Sequence, residues 1–260
     1  MSPARHCLIE REGPLLWITI NRPAAMNALD PPAHRELAAA FDAYAADNEL
    51  RVAILTGAGE RAFCVGSDLK ARARTDADDH PATGFAGLTH RFDLFKPVIA
   101  AVNGLALGGG VEIVAACDLA IAADHAEFAL PEARVGLAAL GGGGLQRLAR
   151  ALPLKQAMDL VLTGRRISAS EAKSIGLIND VAPGAELKAR ARKLAETILE
   201  GAPLALQAAK QVMLRSLGMP DLETALRARY PAAELMLESA DAKEGQMAFT
   251  EKRKPRWQGR

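Results

Sequence analysis

Residues 103–112 read NGLALGGGVE, and the chain runs on at once as IVAACDLAIAAD. Three glycines in a row would weaken the interior of a helix or a strand, so Gly108, Gly109 and Gly110 mark a junction between elements. The strand-like KPVIAAVNG leads in and a helix that begins near Gly109 leads out, followed by a further strand, CDLAIAAD. The first N–H groups of such a helix lack intrahelical partners and carry partial positive charge, and glycine lets another molecule approach them closely. Glu112 then falls in the first turn. On this stretch alone it either complements the helix dipole or is a reactive carboxyl facing whatever binds there. A dinucleotide fingerprint does not fit: Gly104, Gly108, Gly109 and Gly110 are not spaced as GxGxxG, and no acidic strand end follows about 20 residues on.

The segments ahead of this junction alternate in the same way. LLWITINRP suits a strand stopped by Pro23, and LRVAILTGAG suits a buried strand ended by Gly57 and Gly59. Between them, ALDPPAHRELAAAFDAYAAD places Leu37, Phe41 and Tyr44 at helical spacing, with Asp30 as the entry cap. The polar ARARTDADDHPATGFAG, residues 71–87, has neither period and predicts a mobile surface loop. From about Leu145 onward the pattern is helical. Ser168 and Glu171 have capping-box spacing, and later helices expose Leu, Met and Phe faces that little remaining chain can cover, which favours oligomerisation.

Composition excludes several classes of function. A net charge of +1 over 260 residues gives no global attraction for nucleic acid or a membrane surface. No apolar run is long enough to span a bilayer, and the start lacks a signal-peptide pattern. Cys7, Cys64 and Cys117 form no CxxC or disulfide framework, which points to a reducing, cytoplasmic setting and to no metal site.

Two further stretches matter in combination with the first. In RAFCVGSDLK, Gly66 lets the chain turn and presents the amide of Ser67; in FALPEARVGL, Glu132 follows Pro131 just ahead of a second glycine-rich turn, Gly141 to Gly144. Alone, each is an ordinary turn or a solvated acid. The order NRPAAMNAL, AFCVGSDLK, KPVIAAVNGLALGGGVEIVAACDLAIAAD, FALPEARVGL, GGGGLQRLAR and MAFTEKRKPRW resembles the crotonase superfamily of enoyl-CoA hydratases and isomerases over nearly the whole chain. The resemblance implies an α/β fold: a spiral of ββα units over residues 1–195 carrying the acyl-CoA site, then a helical region, residues 196–260, that mediates trimerisation. It also implies homotrimers or homohexamers, an acyl-CoA thioester as substrate, and no cofactor beyond the coenzyme A that the substrate carries.

By resemblance, the amides of Ser67 and Gly109 form an oxyanion hole, and Glu112 and Glu132 are the acids found together in the hydratases. The expected activity is addition of water to a 2-enoyl-CoA, or the reverse dehydration of a 3-hydroxyacyl-CoA. Glu132 chiefly donates the proton at C2 and Glu112 chiefly activates water. Double-bond isomerisation is the alternative, and RNA binding through the basic tail a remote one. Substrate contacts are expected around Arg22, Ala25, Ala28, Val65, Gly66, Asp68, Leu69 and Gly108. Phe249, with Lys252 or Arg253, is expected to reach a neighbouring subunit's site. Two departures stand out. Ala24 occupies a place where many hydratases carry lysine, which shifts phosphate pairing to Arg22 and Lys252. The leucine-rich GLAALGGGGLQRL, with Leu140 and Leu145 beside the acyl group, implies an acyl group other than a simple straight chain.

Overall fold

The apolar runs LLWITI, VAILTG, VIAAV and LAIAA become adjacent strands of one sheet, buried on both faces as parallel strands must be. A computed structural model describes residues 6–71 and 80–260. Strand β1 (Cys7–Glu12) pairs antiparallel with β2 (Leu15–Ile20). From β2 the sheet continues in parallel through β3 (Val52–Gly57), β5 (Val98–Val102), β7 (Leu119–Ala123) and β10 (Asp180–Ala182). A second sheet holds β4 (Ala62–Cys64), β6 (Leu105–Leu107), β8 (Glu127–Ala129) and β9 (Ile167–Ser168), in that order. Successive strands from β3 to β8 therefore step between the two sheets, and helix α2 (Gly109–Ala116) follows the β5–β6 pair. That step, strand to strand to helix, is the ββα spiral that the resemblance implied.

Helix α1 (Pro31–Ala46) is capped by the Asp30 side chain, which accepts from the Ala33 N–H, and prolines fill the first turn, where a missing N–H costs nothing. Its apolar stripe, Leu37, Phe41 and Tyr44, is fully buried. On the other side of the fold, α3 (Gly144–Ala151) packs on α2, α4 (Leu154–Thr163) packs on α3, and α5 (Ala169–Ser174) is capped by Ser168. The reciprocal half of the expected capping box is not made, because the Glu171 carboxylate turns to Arg165 at 2.5 Å.

Helix α6 (Leu187–Leu199) lies across β3, β5 and β7, and the expected division between residues 195 and 196 falls inside it. Beyond it run α7 (Pro203–Ser216), α8 (Leu222–Arg227), α9 (Pro231–Glu238) and α10 (Ala240–Thr250), with the expected break in front of Pro231. Leu214, Leu217, Leu222, Leu226, Leu237 and Phe249 are exposed on these helices, as the sequence predicts.

One expectation needs correction. Residues 72–79 of the expected surface loop lie outside the described residues, but Phe85 to Thr89 is core. The turn Phe85–Gly87 packs against α1, with the Phe85 ring on His34, and the buried N–H of Ala86 is satisfied by His34 Nδ1 at 3.0 Å. The basic tail is held against the fold by contacts of its own. Arg253 pairs with Glu244 and Glu251, Asp241 accepts from the Gln258 and Gly259 amides at 2.7 and 2.8 Å, and Trp257 Nε1 donates to the Glu200 carbonyl at 2.8 Å.

Candidate active site

The glycine run answers to contacts on three sides. Gly108 takes φ +54 as it leaves β6, donates to the Ala129 carbonyl at 2.8 Å, and accepts at its own carbonyl from Val111 and Glu112, which starts α2. Gly110 lies so close to β4 that a Cβ there would sit 2.0 Å from the Cys64 carbonyl oxygen, so only glycine fits. The Phe85 ring covers the remaining side, 2.5 Å from where a Cβ on Gly109 would stand. Helix α2 is thereby wedged between β4 and the Phe85 turn with its N-terminal amides at the junction of the two sheets.

The Ser67 amide reaches the same place by a different device. Leu29 and Ser67 form an isolated parallel bridge, in which Leu29 N donates to the Gly66 carbonyl and its carbonyl accepts from Asp68 N, both at 2.8 Å. In a parallel bridge the residue opposite turns its own N–H away from that partner. The Ser67 N–H therefore faces away from Leu29. Gly66, at φ +92, touches the start of α2, for a Cβ there would be 3.2 Å from the Gly109 nitrogen. Among the described residues neither the Ser67 nor the Gly109 N–H has an acceptor. Two unspent donors thus stand side by side at a helix N-terminus.

The two glutamates meet this point from different elements and in different surroundings. Glu112, one turn into α2, is only 4 % exposed. Its Oε1 accepts from the amides of Gly142 and Gly144, both at 3.0 Å, so the second glycine-rich turn is a seat for this carboxyl. Glu132, in the short turn after β8, lies against Gly108, with Oε1 2.8 Å from where a Cβ on that glycine would be. Its Oε2 is buried and has no hydrogen-bond partner among the described residues. Burial, and then the nearby Glu112 charge, pushes the Glu132 carboxyl above the usual carboxylate range. Cys64, beneath the site, is pushed up to about 12 by burial and behaves as a small apolar residue.

The remaining expected contacts divide. Gly66 and Gly108 join the cluster, and Val65 and Ala25 are half-buried on the approach to it. Arg22 does not offer a free charge to a phosphate. Its guanidinium pairs with Asp30 at 2.9 Å and Asp68 at 3.0 Å and donates to the Ala28 carbonyl, so it braces the bridge that carries Ser67. For Asp68 burial is the largest single effect and raises its pKa, but Arg22 and the Ala71 and Lys70 amides together outweigh it and hold the carboxyl below the usual carboxylate range. Leu69 is exposed, and Leu140 is 62 % exposed on the turn rather than lining a pocket wall. Phe249, 88 % exposed, and Lys252 lie on and just beyond α10 and are not brought to the site by this chain. Sequence reasoning missed Phe85, His34 and Arg147. Phe85 and His34 had no distinguishing pattern, whereas the glycines at 142 and 144 signalled a seat whose occupant only the fold identifies.

A mixed α/β spiral brings together two amides without acceptors among the described residues, one buried glutamate and one half-buried glutamate, and comparison with known proteins identifies the family. The enoyl-CoA hydratase/isomerase family matches residues 10–260, and the chain belongs to that family. It is similar to a carnitinyl-CoA dehydratase of Salmonella arizonae, 47 % identical over 260 residues, covering 96 % of this chain and 97 % of that one. A carnitinyl-CoA dehydratase of Salmonella typhi is 46 % identical with full coverage of both chains. Among solved structures, an enoyl-CoA hydratase from Mycobacterium tuberculosis H37Rv superposes with a TM-score of 0.93 at 42 % identity, covering 99 % of this chain and 100 % of the other.

Proposed function

We propose that the chain is a hydro-lyase of acyl-CoA thioesters, interconverting a 2-enoyl-CoA and a 3-hydroxyacyl-CoA. In the hydration direction the thioester oxygen accepts from the Ser67 and Gly109 amides. Water adds at C3 and gives a proton to Glu112, electron density moves through C2 to the held oxygen, and Glu132 delivers a proton to C2 as the thioester re-forms. Dehydration is the reverse, with the carboxyls exchanging roles. Each preorganised amide is worth about 3–4 kcal/mol of transition-state stabilisation in comparable oxyanion holes, and the dipole of α2 adds to them.

The observation that carries this reading is the contrast between the two carboxyls beside the free amides. Glu112 Oε1 only accepts, from two amides, which leaves Oε2 as the atom to take a proton from water. Glu132, desolvated and raised, is suited to arrive protonated. Kinship with proteins named carnitinyl-CoA dehydratase supports a lyase rather than an isomerase, and supports testing both directions.

The test is a panel of 2-enoyl-CoA thioesters, with carnitinyl-CoA for the reverse direction, followed by the absorbance of the conjugated thioester. Wild type, Glu112→Gln and Glu132→Gln are compared. Each variant is expected to lose kcat by about 10³-fold or more while thioester binding is largely kept. Full activity in either variant removes that glutamate from the mechanism, and a product with a moved double bond and no hydroxyl replaces the lyase with an isomerase.

A further inference from the structure

We infer that Arg147 is a positioning residue that sets the seat of Glu112 and couples it to the wall over the oxyanion amides; the inference rests on the reading of the site given above. Arg147 projects from α3, half-buried, and spends its guanidinium on two backbone carbonyls: Nη1 donates to Gly142 at 2.9 Å and Nη2 to Thr89 at 2.6 Å. Gly142 is therefore gripped at both ends. Its N–H donates to Glu112 Oε1 while its carbonyl accepts from Arg147, so the peptides on either side of its Cα are both fixed.

That grip matters because the turn has little else to order it beyond the Gly143 amide donating to the Leu140 carbonyl at 3.4 Å and the start of α3. Gly141 to Gly144 is the most permissive backbone in the chain, and a Cβ placed on Gly141 would meet nothing within 4 Å. Without an external tie, the Gly142 and Gly144 amides would lose the convergence on one carboxylate oxygen that the structure records. The second carbonyl, Thr89, ends the segment that begins with Phe85, whose ring covers Gly109. One planar cation thus links the seat of the acid to the wall of the oxyanion amides. A lysine ammonium is a point donor and cannot reproduce the fork.

Charge acts in the same direction. Burial lowers the pKa of Arg147, and the charges of Glu112, then of Cys117 if ionised, oppose that effect. Glu132 is the other ionisable group that faces Glu112. Arg147 is thus a cation whose charge is felt by Glu112.

The test compares wild type, Arg147→Met and Arg147→Lys, with but-2-enoyl-CoA as probe and amide hydrogen exchange as a readout independent of turnover. Arg147→Met is expected to lose kcat about a hundredfold through misplacement of the acid, with KM within about threefold of wild type. The Gly142 and Gly144 amides exchange faster while β2 and β3 stay protected, and Arg147→Lys recovers part of each effect. Unchanged kcat together with unchanged exchange at the Gly142 and Gly144 amides in Arg147→Met overturns the inference. If Arg147→Met loses protection throughout, the role is tested by the same readouts in Arg147→Lys, where wild-type behaviour overturns it. If the wild type hydrates no enoyl thioester, the functional reading fails separately. Exchange alone then decides: selective loss of protection at Gly142 and Gly144 upholds the inference, and unchanged protection overturns it.

Discussion

Replacing Glu132 by glutamine separates what the site needs from what the fold prefers. In the folded chain Glu132 Oε2 is buried with no partner, and burial together with Glu112 raises its pKa. A carboxyl that holds its proton more tightly when folded stabilises the fold fully below its unfolded pKa. That contribution is lost as pH rises through the folded value, because the folded state must then carry a buried charge. Glutamine has nearly the same shape and never ionises. An unsatisfied buried polar atom costs about 1–3 kcal/mol, and a charged one costs more. Glu132→Gln is therefore expected to match wild type near pH 4 and to exceed it by about 1–2 kcal/mol at pH 8. For a chain of this length each kcal/mol is about 2–4 °C in Tm, so the two melting curves should separate by several degrees as pH rises. Thermal unfolding followed by circular dichroism, at fixed protein concentration and without ligand, reads this directly. A variant that is less stable at every pH, or whose advantage shrinks as pH rises, refutes the assignment of Glu132 as the buried, proton-holding acid. The gain in stability should coincide with the loss of turnover, a trade-off expected of a functional group kept in an unfavourable place.

Other substitutions probe the scaffold. Gly110→Ala forces a methyl group to within 2.0 Å of the Cys64 carbonyl and is expected to cost roughly 4 kcal/mol or more. Gly141→Ala, with open space around it, should stay within about 0.5 kcal/mol of wild type in urea unfolding. His34→Ala leaves the buried Ala86 N–H without its acceptor and should cost about 1–3 kcal/mol, whereas His34→Asn, which can still accept, should cost less by the same measurement. Ser67→Ala should keep wild-type kcat because only the amide is asked for, while Ser67→Pro, which removes that N–H but neither hydrogen bond of the bridge to Leu29, should lose about 10²–10³-fold. Equal losses in the two Ser67 variants would transfer the role to the hydroxyl.

Most of the architecture could be read from residue patterns because those patterns report local constraints. Asp30 ahead of two prolines starts α1, the apolar runs at 15–20, 52–57, 98–102 and 119–123 form sheet, and the glycines at 108–110 stop one element and open another. The site was harder to read in proportion to how far its determinants lie from the residues themselves. Glu112 and Glu132 have the same side chain, and no local pattern says that one is seated on two amides while the other keeps a buried oxygen without a partner among the described residues; that difference comes from a turn 30 residues beyond Glu112 and from the contact with Gly108. Arg22 shows the same limit from the other side. A basic residue next to a loop that resembles a coenzyme A contact suggests a phosphate ligand, yet Asp30 and Asp68 converge on it only after α1 and the bridge at Leu29 have formed. Residue type proposes a charge or a proton, and tertiary contacts decide whether it is already spent. By that criterion the unspent groups at the start of α2 among the described residues, the Ser67 and Gly109 amides and the Glu132 Oε2, are the ones that the proposed reaction uses.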